Sequence, residues 1–297
     1  MRTTASVALA PESAIERAPG IWVEASRRFF SNRLAVGGLV VASLIICCAI
    51  FADFFALTDR DYANFAEVLQ FPSPQHPLGT DAVGRDFYTR VLYGARTSMA
   101  VGFGAPLLAN LIGVPLGALA GWRGGWFDFI LLRVIEIMTA LPAILFAILL
   151  ITVWGSGLEK LILYMALTGW LGGARFARAQ FLSLKQREYV LAARALGASD
   201  RRMMVQHILP NAAGPIIVGV MTGIPGAIFG EAGLSYLGLG IQDPIPSWGK
   251  MVADSQNYIQ VYWYLALVPT VLIALTMLAF TFVGDGLRDA LDPYMQR

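Results

Sequence analysis

Few ionisable residues lie near the apolar segments of this sequence, where acid–base or charge-pairing chemistry would matter most. Near its apolar segments, the candidates for a gating or pathway role are Arg133, Glu136 and Glu231. Arg133 and Glu136 are three positions apart, so on a helix they can pair and offset each other's charge, which favours a structural pair over catalysis. Glu231 ends an apolar segment, where an ionisable group either has a function or meets water at the interface. Both interpretations of Glu231 stay open.

The sequence does not indicate a disulfide bond, a metal site or a phosphate-binding loop. Cys47 and Cys48 are adjacent in an apolar run and would point in different directions on a helix, so we interpret them as small apolar residues. The only histidines, His76 and His207, are far apart and have no cysteine partner, so we expect no metal site. A proline and a glycine follow His76, which indicates a turn. The sequence has no phosphate-binding loop of the Gly-x-x-x-x-Gly-Lys-Ser/Thr type, and therefore no ATPase motif of its own.

The strongest local pattern lies in a polar loop at residues 186–211. Alanines at 192, 193 and 195 favour a short helix, and Gly197 suits a left-handed helix end. Ser199 is a good N-cap for a second helix, with Asp200 near the positive end of its dipole. The pattern predicts a compact helix–turn–helix knob whose small side chains could dock into a partner. Composition alone favours the alternative, a solvated loop between two spans.

Six apolar segments could hold these residues in a membrane. Hydrophobic residues make up 57% of the 297 residues and charged residues only 14%, with a mean hydropathy of +0.61. Soluble domains carry about a quarter charged residues. The net charge of +2 gives no sign of a nucleic-acid partner. The first segment begins at Leu34, and the others, each near the ~20 residues that cross a bilayer, lie roughly at 97–121, 129–154, 159–178, 212–232 and 263–284.

The distribution of positive charge predicts the orientation. Six spans with both termini in the cytoplasm place 16 of the 22 Lys and Arg residues on the inner side, as the positive-inside rule requires. The fourth span is the weakest, but removing it would put the Arg-rich stretch 175–202 outside. We therefore expect an all-α integral membrane protein with six transmembrane helices and both termini cytoplasmic.

Glycine and proline interrupt the second and fifth spans. Gly113, Gly117 and Gly121 recur every fourth position in the second span, which suits either close helix packing or a wall that lines a pathway. Both interpretations stay open for this span. The fifth span contains seven Gly and Pro residues, and irregular backbone at membrane depth is tolerated only against protein or a water-filled cavity. For this span the pathway interpretation is favoured.

Within the 186–211 loop, Ala192-Ala193, Gly197 and Leu209-Pro210 resemble the signature loop of bacterial ABC-importer permeases. In that family the loop forms the helix that docks on the ATPase subunit, although the usual first motif residue, Glu, is Leu191 here. The resemblance implies docking roles for Glu188, Ala192, Ala193, Gly197, Ala198, Ser199, Asp200, Leu209 and Pro210. Four further stretches are similar to the second, C-type subunit of dipeptide, oligopeptide and nickel permeases: 76–86, 234–240, 246–249 and 284–293.

The resemblance implies a machine of several subunits in the bacterial inner membrane. A paired B-type permease would complete the pathway by alternating access, two cytoplasmic ATPase subunits would use ATP and Mg²⁺, and an external solute-binding protein would deliver the substrate. This chain would bind no cofactor itself. The implied cargo is a di- or oligopeptide, with nickel chelates, glutathione or oligosaccharides as alternatives. A passive channel would not need the docking knob, and a membrane enzyme would need converging acid–base residues, so binding of ATPase subunits would separate the three.

We expect four regions along the chain. Residues 1–33 form a cytoplasmic tail with a basic segment before the membrane, and 34–96 hold the first span and a long outer loop. Residues 97–290 form the core permease domain, and 291–297 a cytoplasmic tail.

Overall fold

Long α-helices make up most of the chain, in agreement with the predicted all-α class. A computed structural model describes residues 21–291, with only the backbone described for residues 21 and 22. The helices are α1 (Ile21–Ser31), α2 (Arg33–Ile50), α3 (Ala52–Phe55), α4 (Phe87–Arg123), α5 (Gly125–Ala140), α6 (Ala143–Trp154), α7 (Leu158–Lys185), α8 (Glu188–Ala195), α9 (Asp200–Arg202), α10 (Leu209–Tyr236), α11 (Trp248–Ser255) and α12 (Trp263–Leu291). A π-helical segment, Met203–Ile208, joins α9 to α10.

Part of the predicted N-terminal tail is helical. The helix α1 packs against the end of α12 through the buried side chains of Ala25 and Phe29. The side chain of Asn32 then accepts hydrogen bonds from the backbone N–H groups of Leu34 and Ala35 and so caps α2. The predicted cytoplasmic tails otherwise lie at residues 1–20 and 292–297, outside the described residues.

Within residues 21–291, four helical segments are each long and apolar enough to cross a membrane. They are α2, α4, the continuous segment Asp200–Tyr236 and α12, and the bent pair α5–α6 would make a fifth. The helix α7 is 28 residues long but carries Arg175, Arg178 and Lys185 in its second half, which lowers its hydropathy. The structure thus supports four or five spans by length and composition, and the six-span count stays a prediction.

The predicted third span, 129–154, is not one straight helix. The helices α5 and α6 meet at an angle of 87°, and the break falls at Leu141 and Pro142. Proline disfavours helical backbone in the residue before it, and Leu141 is extended with ψ 131°. The hydroxyl of Tyr164 on α7 donates to the Ala143 carbonyl at 2.9 Å and holds the start of α6 in place.

The glycines of the second span serve helix packing. A Cβ atom built on Gly113, Gly117 or Gly121 would lie within 2.0–2.6 Å of a backbone oxygen of α7, closer than any real contact. At Gly117 the nearest atom would be the Ala174 carbonyl oxygen, at 2.0 Å. Removing Cβ lets two helix backbones touch in lipid. Of the two interpretations that the sequence left open for these three residues, the structure supports close packing of α4 on α7.

Candidate functional site

The turn in the 186–211 loop has the geometry that its glycine and serine predict. After α8, the N–H groups of Gly197 and Ala198 donate to the carbonyls of Arg194 and Ala193, both at 3.0 Å. This pair of hydrogen bonds is the Schellman motif, which needs a left-handed residue at the position of Gly197. Its φ is +83°, as the motif requires. The Ser199 hydroxyl then accepts a hydrogen bond from the backbone N–H of Arg202 and caps α9.

The helix that follows the turn runs without interruption into the long helix α10. The segments α9, Met203–Ile208 and α10 are continuous. Proline has no N–H and its ring clashes with the carbonyl four residues earlier in a regular helix. A π-helical turn directly before Leu209 and Pro210 changes the spacing at that point. The helix α10 is therefore joined to the turn by helical structure throughout.

The 186–211 loop is anchored to the long helices by a small hydrophobic cluster. The buried side chains of Val190, Met203 and Ile208 pack with Trp122 at the end of α4 and Phe181 on α7. At the same place, the ammonium group of Lys185 donates to the Trp122 carbonyl at 2.7 Å. A displacement of the exposed side of the loop would therefore be transmitted to α4, α7 and α10 through direct side-chain contacts.

The exposed side of the loop carries large apolar residues that are not among the predicted docking residues. The Leu196 side chain is 89% exposed at the tip, and Tyr189 and Leu191 are exposed on α8. Several exposed large apolar side chains together typically mark a partner contact. The position of Leu196 could have indicated its exposure, because it directly precedes the turn glycine, Gly197, at the tip of the loop. Around these residues, Ala193 and Ala198 are half-buried, and the exposed candidates are Glu188, Ala192, Gly197, Ser199, Asp200, Leu209 and Pro210.

A cavity of about 780 Å³, here called the central cavity, lies between α4, α6, α7 and α10. Most of its lining residues are glycine, alanine or other apolar residues, and its polar side chains include Asn110, Thr168 and Thr222. In the part of the chain that the structure describes, no Asp, Glu, Lys, Arg or His side chain lines it. Phe229 and Leu237 line the cavity and are exposed, so the cavity opens at the surface of the chain. Its walls α7 and α10 are also the helices that flank the 186–211 loop.

Glu231 lies on α10 but does not line the central cavity. Its side chain is fully buried, so the alternative that it meets water does not hold. The hydroxyls of Ser235 and Ser98 donate to its carboxyl oxygens at 2.7 and 3.3 Å, and the buried Ser247 hydroxyl is a third partner. Ser98 belongs to α4, and Ser247 caps α11. Glu231 therefore joins α10 to α4 and to the segment that covers their ends.

Arg133 and Glu136 form the ion pair that their spacing predicts. The pair lies on the exposed face of α5, with more than half of the Arg133 side chain and half of the Glu136 side chain exposed. The guanidinium also lies over the ring of Phe129, 5.1 Å from its centre. Neither residue lines the central cavity. The contacts favour a structural pair over a direct role in a pathway.

The two long connecting segments, 58–86 and 237–262, are held together by ion pairs. Arg85 contacts Asp81 at 2.6 Å and Asp243 at 3.0 Å. Burial disfavours the ionised Asp243 carboxylate, but the hydrogen bond from Arg85 and the nearby positive charges outweigh it and lower its pKa. A carboxylate with a lowered pKa stabilises the fold above the usual carboxyl pKa, and that contribution is lost only as the pH falls through the lowered value.

His76 takes part in a turn and in a hydrogen bond with Asp86. The Gly79 N–H donates to the His76 carbonyl at 2.8 Å, and the His76 ring lies 2.8 Å from the Asp86 carboxylate. Asp86 in turn caps α4 through the N–H of Thr89. The turn expected after His76 is therefore confirmed. Within residues 21–291, no group of three or more His, Cys, Asp or Glu residues is placed to hold a metal ion.

Known proteins resemble this chain over most of its length. Residues 113–297 match the family described as binding-protein-dependent transport system inner membrane component, and residues 20–72 match the N-terminal TM domain of oligopeptide transport permease C. The oligopeptide transport system permease protein OppC of Bacillus subtilis is 44% identical over 96% of this chain and 94% of the relative. The glutathione transport system permease protein GsiD of Pectobacterium atrosepticum is 38% identical over 93% of this chain and 92% of the relative.

A solved structure shares the fold. The structure described as inward facing conformations of the MetNI methionine ABC transporter superposes with a TM-score of 0.58, covering 68% of this chain and 96% of the other, at 18% identity. The matched family and the apolar helices place this protein in the inner membrane as a multi-pass protein. The chain belongs to the family of binding-protein-dependent transport system inner membrane components.

Proposed function

We propose that this chain is the C-type transmembrane subunit of an ATP-driven importer and forms half of the passage for di- or oligopeptides. The relatives named as oligopeptide and dipeptide permeases support this cargo, and those named for glutathione support the nearest alternative. One observation carries the mechanism. Two of the four helices that wall the central cavity, α7 and α10, are the two that flank the 186–211 loop.

The loop transmits work from ATP hydrolysis to the cavity. An ATPase subunit docks on the exposed side of the loop, around Leu196 and the alanines of α8. Its movement reaches α7 through the packing of Val190 on Phe181, and α10 through the continuous helix from Asp200. The angle between the two walls then changes, and the cavity opens alternately to either side. The partner subunits bind ATP and Mg²⁺, and this chain acts as a transport subunit rather than an enzyme.

Two further partners complete the machine. A B-type permease covers the open side of the central cavity, where Phe229, Leu237 and Ile144 line the cavity and remain exposed. An external solute-binding protein meets the outer segments 58–86 and 237–262. The ion pair between Arg85 and Asp243 joins these two segments.

The proposed function includes six spans with both termini in the cytoplasm. The 28-residue helix α7 is about 42 Å long at 1.5 Å per residue, more than enough to cross a bilayer despite its charged second half. It crosses with its Arg-rich end inside. The division of the chain into 1–33, 34–96, 97–290 and 291–297 follows from this topology.

The topology can be tested by labelling single cysteines from outside the cell. In a background without Cys47 and Cys48, a cysteine at Gln75 or Gln242 is expected to react with a membrane-impermeant maleimide, and one at Gln186 is not. All three residues are exposed, so accessibility within the chain does not bias the comparison. The cysteine introduced in place of Gln186 should react after the membrane is permeabilised. Labelling of this cysteine in intact cells would contradict six spans.

Uptake in proteoliposomes tests the function itself. The chain is reconstituted with its B-type permease and ATPase subunits, and labelled peptide is added with the binding protein. We expect peptide accumulation that needs ATP, the binding protein and this chain. Glutathione, in place of peptide, tests the alternative cargo. Peptide equilibration without ATP would indicate a passive channel and contradict the proposal.

A further inference from the structure

Three glycines that line the central cavity touch nothing in this chain where a side chain would be. Gly172 on α7 and Gly226 and Gly233 on α10 are exposed, and a Cβ atom built on any of them would have no atom of the chain within 4 Å. They differ from Gly113 and Gly117, where a Cβ would collide with the backbone of α7. A glycine inside a helix costs about 1 kcal/mol relative to alanine. What these glycines provide within the chain is open space in the cavity.

The wall around this space offers little for recognising charge. The described lining residues include no acidic, basic or histidine side chain. The hydroxyls of Thr168 and Thr222 already donate to carbonyls of their own helices, Tyr164 at 3.2 Å and Val218 at 3.0 Å. The Asn110 amide donates to the Pro106 carbonyl at 2.8 Å, which leaves its oxygen as a neutral acceptor. A charged peptide side chain therefore finds no fixed counter-charge here, and size is the property that this wall can discriminate.

We propose that the central cavity limits substrates by their cross-section, with Gly172 and Gly226 setting the clearance for a passing peptide. The inference rests on the proposed function. The cavity volume of about 780 Å³ lies in the range of ordinary ligand sites, roughly 300–1,000 Å³, and is large enough for a short stretch of peptide. Because the cavity opens at the chain surface, the second permease adds the remaining wall, and we place the passing peptide between that wall and these glycines.

The test enlarges the two residues and compares peptides of different bulk. Gly172→Leu and Gly226→Leu are reconstituted with the partner subunits, and uptake of triglycine and triphenylalanine is measured at saturating binding protein. Gly37→Leu is the matched control, since Gly37 lies on exposed α2, has no atom within 4 Å of its Cβ position and does not line the cavity. Leucine is a better helix former than glycine, so the helices themselves should tolerate all three changes.

Each Leu variant is expected to lower the uptake of triphenylalanine relative to triglycine by about tenfold or more. The leucine side chain takes up space that the phenylalanine side chains need, and overpacking costs free energy. The Gly37→Leu ratio should equal that of the wild type. An unchanged ratio in both cavity variants, or equal loss of both peptides in assembled complexes, would overturn the inference while leaving the importer intact. If a Leu variant does not assemble, Gly172→Ala and Gly226→Ala replace it. These smaller changes should lower the ratio of triphenylalanine uptake to triglycine uptake in the same direction but by less. Absence of peptide uptake by the assembled wild type would instead refute the proposed function.

Discussion

Gly197→Val is expected to leave the protein in the membrane, paired with its partner permease, and to remove most of the ATP-coupled uptake. The φ of Gly197 is +83°, and a β-branched residue there is strained by about 1–3 kcal/mol. The strain acts on the Schellman turn that orients Leu196 and the end of α8. No atom of this chain lies within 4 Å of the Cβ position, so the added bulk projects towards the docking partner.

Pull-down of the ATPase subunits and substrate-stimulated ATPase activity measure this effect. Gly197→Asn is the control, because asparagine adopts left-handed backbone more readily than other residues with a side chain, and it should retain more function than Val. Ala193→Asp should resemble Gly197→Val through charge and bulk on the half-buried face of α8. Normal recruitment, stimulation and uptake in both Gly197→Val and Ala193→Asp would show that this loop does not transmit the ATPase movement.

Glu231→Gln is expected to lower uptake by about tenfold while the complex still assembles. The change keeps the volume of the side chain but replaces one acceptor oxygen with a donor, so the hydroxyls of Ser98 and Ser235 cannot both keep their present hydrogen bonds. A buried polar group left without its partner costs about 1–3 kcal/mol, and 1.4 kcal/mol is a factor of ten. The loss falls on the contact between α10 and α4, beside the wall of the central cavity.

Glu136→Gln is the matched control for this prediction. It makes the same chemical change on the exposed face of α5, away from the cavity, and should leave uptake near the wild-type value. Assembly is checked by pull-down of the partner permease in both variants. If Glu231→Gln transports at the wild-type rate, the buried carboxyl group has only a structural role.

The features that the sequence predicted well depend on local chemistry. Gly197 and Ser199 act through their own backbone and their nearest neighbours, so their spacing was enough to place the turn. The pairing of Arg133 with Glu136 also follows from helical spacing alone. Long apolar runs predicted the membrane helices for the same reason, because the length and composition of each run indicate a helix without reference to its neighbours.

The features that the sequence could not predict depend on distant neighbours. Ser98 is 133 residues away from Glu231, so the neighbouring sequence offers only the hydrogen bond from Ser235, four positions along the helix, and does not indicate the contact with α4. Similarly, Gly117 and Gly226 look alike in sequence, yet one touches the backbone of α7 and the other faces open space. The bend at Pro142 is an intermediate case. The proline itself can be read in the sequence, but whether it bends a membrane helix depends on which groups form hydrogen bonds with the freed backbone.

The most direct test of the central claim is the distance across the central cavity during the ATPase cycle. Spin labels at Phe176 on α7 and Phe229 on α10, both lining the cavity and exposed, would report the separation of its two walls in the reconstituted complex without Cys47 and Cys48. The account predicts that this distance distribution shifts when ATP binds to the partner subunits, and that Gly197→Val suppresses the shift. Identical distributions with and without ATP, in complexes that import peptide, would contradict it.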